Sequence, residues 1–459
     1  MQSVQHFYVY FQPTGRARRK QMLGGALAAL ALASGVAAPA KADPIEILFV
    51  GNSFTHGRYD PVRNYNAGFG AGDVHDLLCP SPTSCSAAES GPQVDPAQTP
   101  PSGNLQQQLG TLSSNPSLQY NEPGPYGGVA GIFLQFTKEA GLNYDVSLVT
   151  VSSATLKGYL NNTGNEAGML PLIENSKYNK VVLQDQSFQP LPTTITVNGH
   201  SVTTRGNPTS FQQGVNGLIS GIDAADKAAG KAPANVTLYE TQPLAAYGYT
   251  SSNPNAPIFG SSTGPARSQF APYVGAANPI GQMASDLHNA YVGAANAWNA
   301  ANPTKSHVNV ALAGDAWVSA INRGIAVRNP YLANTPANQV DLWDSNPLDA
   351  CCTTPIGYHP STYGAYLSAL VLFEEITGVD PATLDAEDDP NNPNYANSAS
   401  NALGISPDIA AEFEVVASDT VAAGDPVPEP ASLAGLATGL VGLMVLRRCV
   451  RVTGGVHRA

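Results

Sequence analysis

The sequence predicts a three-layer α/β/α sandwich built around a five-stranded parallel sheet. Two features of the chain lead there. Five short apolar runs rich in β-branched residues recur along it, and runs of this kind suit strands buried on both faces. Segments with helical spacing alternate with them, which is the signature of strand–helix–strand units and a parallel sheet. The chain has 459 residues, 43% of them hydrophobic. That is core material for one large domain or two smaller ones.

The predicted strands are Ile45–Val50, Tyr144–Val151, Lys180–Gln184, Val236–Glu240 and Val308–Ala313. The predicted helices are Gly128–Ala140, stopped at the capping Gly141, then Ser210–Ala229, Gly281–Ala300 and a last one from Ser361 to Gly378. Five such strands suggest the flavodoxin-like order 2-1-3-4-5. Residues 60–125 and 243–275 are rich in Gly, Pro, Ser and Asn and read as loop insertions. Residues 381–426 read as a polar linker.

Both ends carry export signals. Arg16, Arg18, Arg19 and Lys20 precede an apolar stretch from Met22 to Ala38, and Ala40-Lys41-Ala42 fits a signal-peptidase site. The signal peptide thus spans residues 1–42, and the mature chain starts near Asp43. At the other end, Val427-Pro428-Glu429-Pro430 leads into an apolar run, Ala431–Leu446, followed by Arg447, Arg448 and Arg451. That run is short for a spanning helix, and the arginines suit its cytoplasmic side.

Composition narrows the function. Charged residues are only 12%, and the formal net charge is -12. An acidic balance argues against a nucleic-acid partner, which needs a basic face. Of five cysteines, Cys79 and Cys85 share a loop, Cys351 and Cys352 are adjacent, and Cys449 lies in the tail. Outside the tail, four cysteines in an oxidising compartment allow three disulfide pairings. No Cys/His spacing suggests a zinc site.

The first strand ends in Gly51-Asn52-Ser53-Phe54-Thr55. Nucleophiles and ligands in open α/β sheets sit at the carboxyl ends of strands, which is where Ser53 falls. A serine nucleophile needs a base. Among eight histidines, His359 stands out, on the loop before the last long helix. His56 is a rival close to Ser53 but reads as a surface or cap residue. His75, His200, His288 and His307 have no distinctive neighbourhood. The elbow GxSxG does not fit, because Thr55 stands where the second glycine belongs.

These segments resemble the SGNH (GDSL-like) hydrolases. ILFVGNSFT is similar to the first block of that superfamily and YHPSTYGAYLSALVLFEEITG to its last. VTVSSATLKGYL and VVLQDQS, of the GNSFT-type branch, resemble its second and third blocks, and ALAGDAW its fifth-strand segment. The resemblance spans roughly residues 45–380. It implies the SGNH fold, Ser53 as nucleophile and His359 as base. The oxyanion would be held by the N–H groups of Ser53 and Ser153 and by the Gln186 amide. Ser153 and Gln186 stand where the family usually has glycine and asparagine. The family's Asp three residues before the histidine is replaced by Ile356. Asp349 is the favoured acid, Asp344 and Asp341 are alternatives, and a Ser-His dyad without an acid is a fourth.

The tail, in turn, resembles the PEP-CTERM sorting signal. It implies transient membrane insertion and removal by an exosortase-type enzyme at the surface of a Gram-negative bacterium. Together the resemblances imply an exported serine esterase. It would act on acyl esters of carbohydrate or lipid, first of all O-acetyl groups on polysaccharide, and need no cofactor or metal. The alternative is a non-catalytic carbohydrate-binding or matrix protein on the same scaffold, suggested by Ile356, Ser153 and Gln186.

Overall fold

The computed structural model describes residues 43–82, 124–249, 271–332, 336, 338–344, 357–384, 392 and 394–424. The expected signal peptide, sorting signal and membrane segment lie outside the described residues. Among the described residues, no helix is long and apolar enough to cross a membrane. Cys79 is buried and is the one cysteine described, so the pairing also lies outside.

The central sheet consists of β1 (Ile45–Gly51), β2 (His75–Asp76), β3 (Tyr144–Thr150), β4 (Lys180–Leu183), β7 (Asn235–Tyr239) and β8 (Val308–Ala311). Its order is β2-β3-β1-β4-β7-β8, and every pairing is parallel. Without β2 this is the expected 2-1-3-4-5 order, but the sheet has six strands, not five. The extra strand comes from the stretch expected to be irregular. His75 and Asp76 pair with Ser147 and Leu148. Two residues between turns are too few to show a period-2 pattern. A separate hairpin, β5 (Thr194–Val197) and β6 (His200–Thr203), closes through Asn198-Gly199, both at positive φ. That dipeptide is a strong hairpin signal.

Period-2 alternation along β1 divides the interior into two cores. Ile47 and Phe49 face one layer, while Leu48 and Val50 face the other. The first layer holds α2 (Gly128–Glu139), α6 (Ala313–Asn322), α7 (Thr362–Thr377) and α8 (Pro407–Gly424). Ile132, Phe133, Phe136, Trp317, Tyr366 and Phe413 fill it. The second holds α3 (Leu156–Asn161), α4 (Pro208–Ala228) and α5 (Pro279–Ala301), which contribute Tyr159, Phe211, Leu218 and Tyr291. The four expected helices stand within two residues of their anticipated ends. Ser361 caps α7 by accepting from the Gly364 N–H, and Gly378 ends it at φ +70°.

Two boundaries need correction. The strand expected to run to Ala313 stops at Ala311, and Ala313 opens α6 instead. The expected linker over 381–426 is largely built into the domain. In α8, Ala410, Phe413, Val416 and Ala417 are fully buried in the first core. Their spacing is helical, but alanines and interleaved acids hide the stripe in a stretch of polar average character.

Phe413→Ala is therefore expected to cost about 3–5 kcal/mol, the range for a truncated core aromatic. Urea unfolding checks this. A change within about 0.5 kcal/mol, as for an exposed linker position, would return the segment to linker status.

Candidate active site

The carboxyl end of β1 turns directly into α1 (Ser53–His56). Asn52 caps this turn, its Oδ1 accepting from the Phe54 N–H at 3.1 Å and its Nδ2 donating to Ala154 O at 3.0 Å. The Asn52 N–H and the Thr55 hydroxyl both donate to Gln184 Oε1, at 3.0 and 2.8 Å. Tyr159 closes the other side. Its hydroxyl donates to Gly51 O at 2.6 Å and accepts from the Val151 N–H at 2.9 Å. The loops after β3 and β4 thus clamp the turn after β1. Gly51 must be glycine here, because a Cβ would fall onto Thr55 Oγ1 and 2.5 Å from Gln184 Oε1.

Within this frame, Ser53 Oγ lies 2.9 Å from His359 Nε2. Both residues are almost wholly buried, at 5% and 4% exposure. Phe54 stacks on the imidazole with ring centroids 5.3 Å apart and 28° between planes. Tyr358 packs against Phe54, and its hydroxyl meets Ser187 Oγ at 2.9 Å. The histidine loop is therefore held by ring packing on one side and a β4-loop hydroxyl on the other.

The rival His56 is not at the surface. It is fully buried, stacked on Tyr126 at 4.3 Å, with Nδ1 3.1 Å from Thr150 Oγ1. This is a packing role in the first core.

Of the three carboxylates expected near His359, Asp349 lies outside the described residues. Asp341 is described, and its Oδ1 accepts from the Trp343 N–H at 2.9 Å. Burial pushes its carboxyl up to about 6. Asp344 is placed differently. Trp343 and Pro360 form an antiparallel bridge, flanked by Asp344 N–H to His359 O at 2.8 Å and Ser361 N–H to Leu342 O at 2.8 Å. Asp344 and His359 thus lie across this isolated bridge from one another, joined by one backbone hydrogen bond, while Asp344 O accepts from the Gly357 N–H at 3.1 Å.

The expected oxyanion positions follow the clamp. Ser53 opens α1, and its N–H has no partner among the described residues. Ser153 sits at φ +63°, the left-handed region that favours glycine. Gln186 follows β4 at the same edge, with Oε1 buried and unpartnered among the described residues. Between the two glutamines, Asp185 is fully buried. Its Oδ1 accepts from the N–H groups of Leu156 and Gln186 at 3.0 and 2.7 Å. Desolvation nonetheless lifts its carboxyl to about 7. The supporting roles of Gln184, Tyr159 and Asp185 escape sequence reasoning. A run of polar residues straight after an apolar strand is the one hint of them.

No protein-family model matches the chain, nor does any curated protein. The chain resembles several solved structures. One is a candidate SGNH hydrolase from Slackia heliotrinireducens, at 16% identity and TM-score 0.32, covering 73% of this chain and 100% of that one. Another is a DUF4886 family protein from Bacteroides uniformis, at 12% identity and TM-score 0.39, covering 85% and 99%. A third is phospholipase A1 from Streptomyces albidoflavus, at 12% identity and TM-score 0.27, covering 72% and 99%. Likeness at such identities concerns the fold alone.

Two outcomes follow from the clamp. Gly51→Ala should cost about 1–3 kcal/mol, as overpacked positions do, measured by urea unfolding; an unchanged midpoint would show that the turn has room. Asp185 stays protonated in the folded chain at pH values where the unfolded chain has released that proton, so stability falls as pH rises from about 4 to 7. Asp185→Asn keeps the acceptor oxygen and removes this slope, worth at most roughly 4 kcal/mol. Unfolding free energies of both proteins at pH 4 and pH 8 test it, and a difference that ignores pH refutes it.

Proposed function

We propose that this chain is a serine esterase of the SGNH type. The observation that carries the reading is the 2.9 Å contact between Ser53 Oγ and His359 Nε2 at the carboxyl edge of a parallel sheet. A serine hydroxyl becomes a nucleophile at neutral pH when an imidazole within hydrogen-bond reach takes its proton. Phe54, stacked on the ring, fixes its plane, and burial of both side chains keeps competing water away.

In the proposed reaction His359 Nε2 removes the Ser53 proton as Oγ attacks the ester carbonyl carbon. The negative charge that develops on the carbonyl oxygen is met by the N–H groups of Ser53 and Ser153 and by the Gln186 side-chain amide. His359 then protonates the departing alcohol, leaving an acyl-Ser53 ester. Water, deprotonated by the same imidazole, releases the carboxylic acid. One oxyanion donor of this kind is worth about 2.7–4 kcal/mol.

The orienting acid is assigned to Asp344 in place of Asp349. Its position across the bridge from His359 supports this, since an acid at Nδ1 fixes the tautomer that leaves Nε2 free to accept. For substrate, the reading favours acyl esters of carbohydrate or lipid, with O-acetylated extracellular polysaccharide first. It rests there on the export leader and on the PEP-CTERM-like tail. Processing by signal peptidase and by an exosortase-type enzyme belongs to the same reading.

A fluorophosphonate probe and a chromogenic acetyl ester test it on the purified chain. Ser53 is expected to be the labelled residue. Ser53→Ala and His359→Ala are expected to lose labelling and about 10³-fold or more of kcat/KM. Asp344→Asn should lower kcat by about 10²–10⁴-fold, while Asp349→Asn changes it little. Folded wild-type protein that neither labels nor turns over any acyl ester would overturn the reading.

A further inference from the structure

A second group of potent side chains meets at the same edge of the sheet, two strands away from β1. Glu240 directly follows β7, Asp315 lies in the first turn of α6, and His288 stands in the middle of α5. One donor atom from each lies within 4.8 Å of the other two. His288 Nδ1 is 2.7 Å from Asp315 Oδ2. Glu240 is fully buried, and its Oε2 accepts from the Asp315 N–H at 3.2 Å. Its other oxygen, Oε1, is buried with no hydrogen-bond partner among the described residues.

An orphaned carboxylate oxygen in the interior carries the full cost of lost hydration. Here a second carboxylate stands beside it. The arrangement lacks positive charge at the point where three ligating atoms converge.

We propose that Glu240, His288 and Asp315 bind a divalent transition-metal ion, with zinc the best match. Two carboxylate oxygens and one imidazole nitrogen suit zinc, which bonds such atoms at about 2.0–2.2 Å and takes four ligands. Magnesium and calcium favour all-oxygen sets. With three protein ligands, water fills the fourth position. The side chains of His288 and Asp315 are 37% and 32% exposed, which gives the ion a way in, while Glu240 anchors it from inside. A bound ion ties the end of β7 to α5 and α6. It takes no part in the chemistry at Ser53.

The test is calorimetric titration of the metal-stripped full chain with zinc chloride, alongside thermal unfolding. The wild type is expected to bind one zinc ion at about 1 µM or tighter, with a raised Tm. His288→Ala and Asp315→Asn are each expected to weaken binding by about tenfold or more and to abolish the Tm shift. Both sites reach solvent, so these variants keep the fold, and unchanged fluorophosphonate labelling of Ser53 confirms it. X-ray absorption on the wild-type complex should show an oxygen- and nitrogen-only shell that includes imidazole. Absence of zinc binding near 100 µM would overturn the proposal. Binding that persists in both variants would place the ion elsewhere and overturn it equally.

Discussion

The hydrogen bond between Ser53 and His359 joins residues 306 apart in sequence, and the esterase chemistry proposed for the molecule depends on its length. Neither side chain could be held there by its own loop. Ser53 is fixed because the turn after β1 is caught between Gln184 from the β4 loop and Tyr159 from α3. His359 is fixed because Phe54 and Tyr358 pack around it and Ser187 holds the Tyr358 hydroxyl. Most of these supports follow the carboxyl ends of β1, β3 and β4. Parallel pairing is what puts those ends side by side, so the sheet order is a precondition of the contact.

The same edge gathers buried polar groups in unusual number. Asp185, Glu240 and Asn52 lie wholly or almost wholly inside. Burial of a carboxyl raises its affinity for a proton, and Asp185 and Glu240 both show it. Such groups work against stability at neutral pH unless a partner offsets the cost. The apolar cores on either side of the sheet supply the compensating free energy. Phe49 on one face and Val50 on the other are neighbours in sequence, yet each sits in a different core.

Much of this was legible in the sequence. The five long strands and four long helices announced themselves by period, and Ser53 and His359 by their places beside them. What escaped was of two kinds. Short elements such as His75–Asp76 carry too few residues for any periodicity to show. Segments whose burial depends on partners far away, such as α8, look like linker because their apolar stripe is made partly of alanine. The clamp residues Gln184 and Tyr159 were invisible for a related reason. Their importance lies in what they touch across more than a hundred positions, and residue type alone does not encode that.

The acid illustrates how local spacing and tertiary register can exchange roles. In the family pattern the carboxylate precedes the histidine by three residues, so a single loop presents both. Here Ile356 occupies that place, and the nearest described aspartate, Asp344, is fifteen positions earlier. The isolated antiparallel bridge between Trp343 and Pro360 brings the Asp344 backbone beside that of His359, which is what favours it as the proposed acid. The carboxylate proposed for the site is thus far from the histidine in sequence, yet its residue is joined to the histidine's by a backbone hydrogen bond.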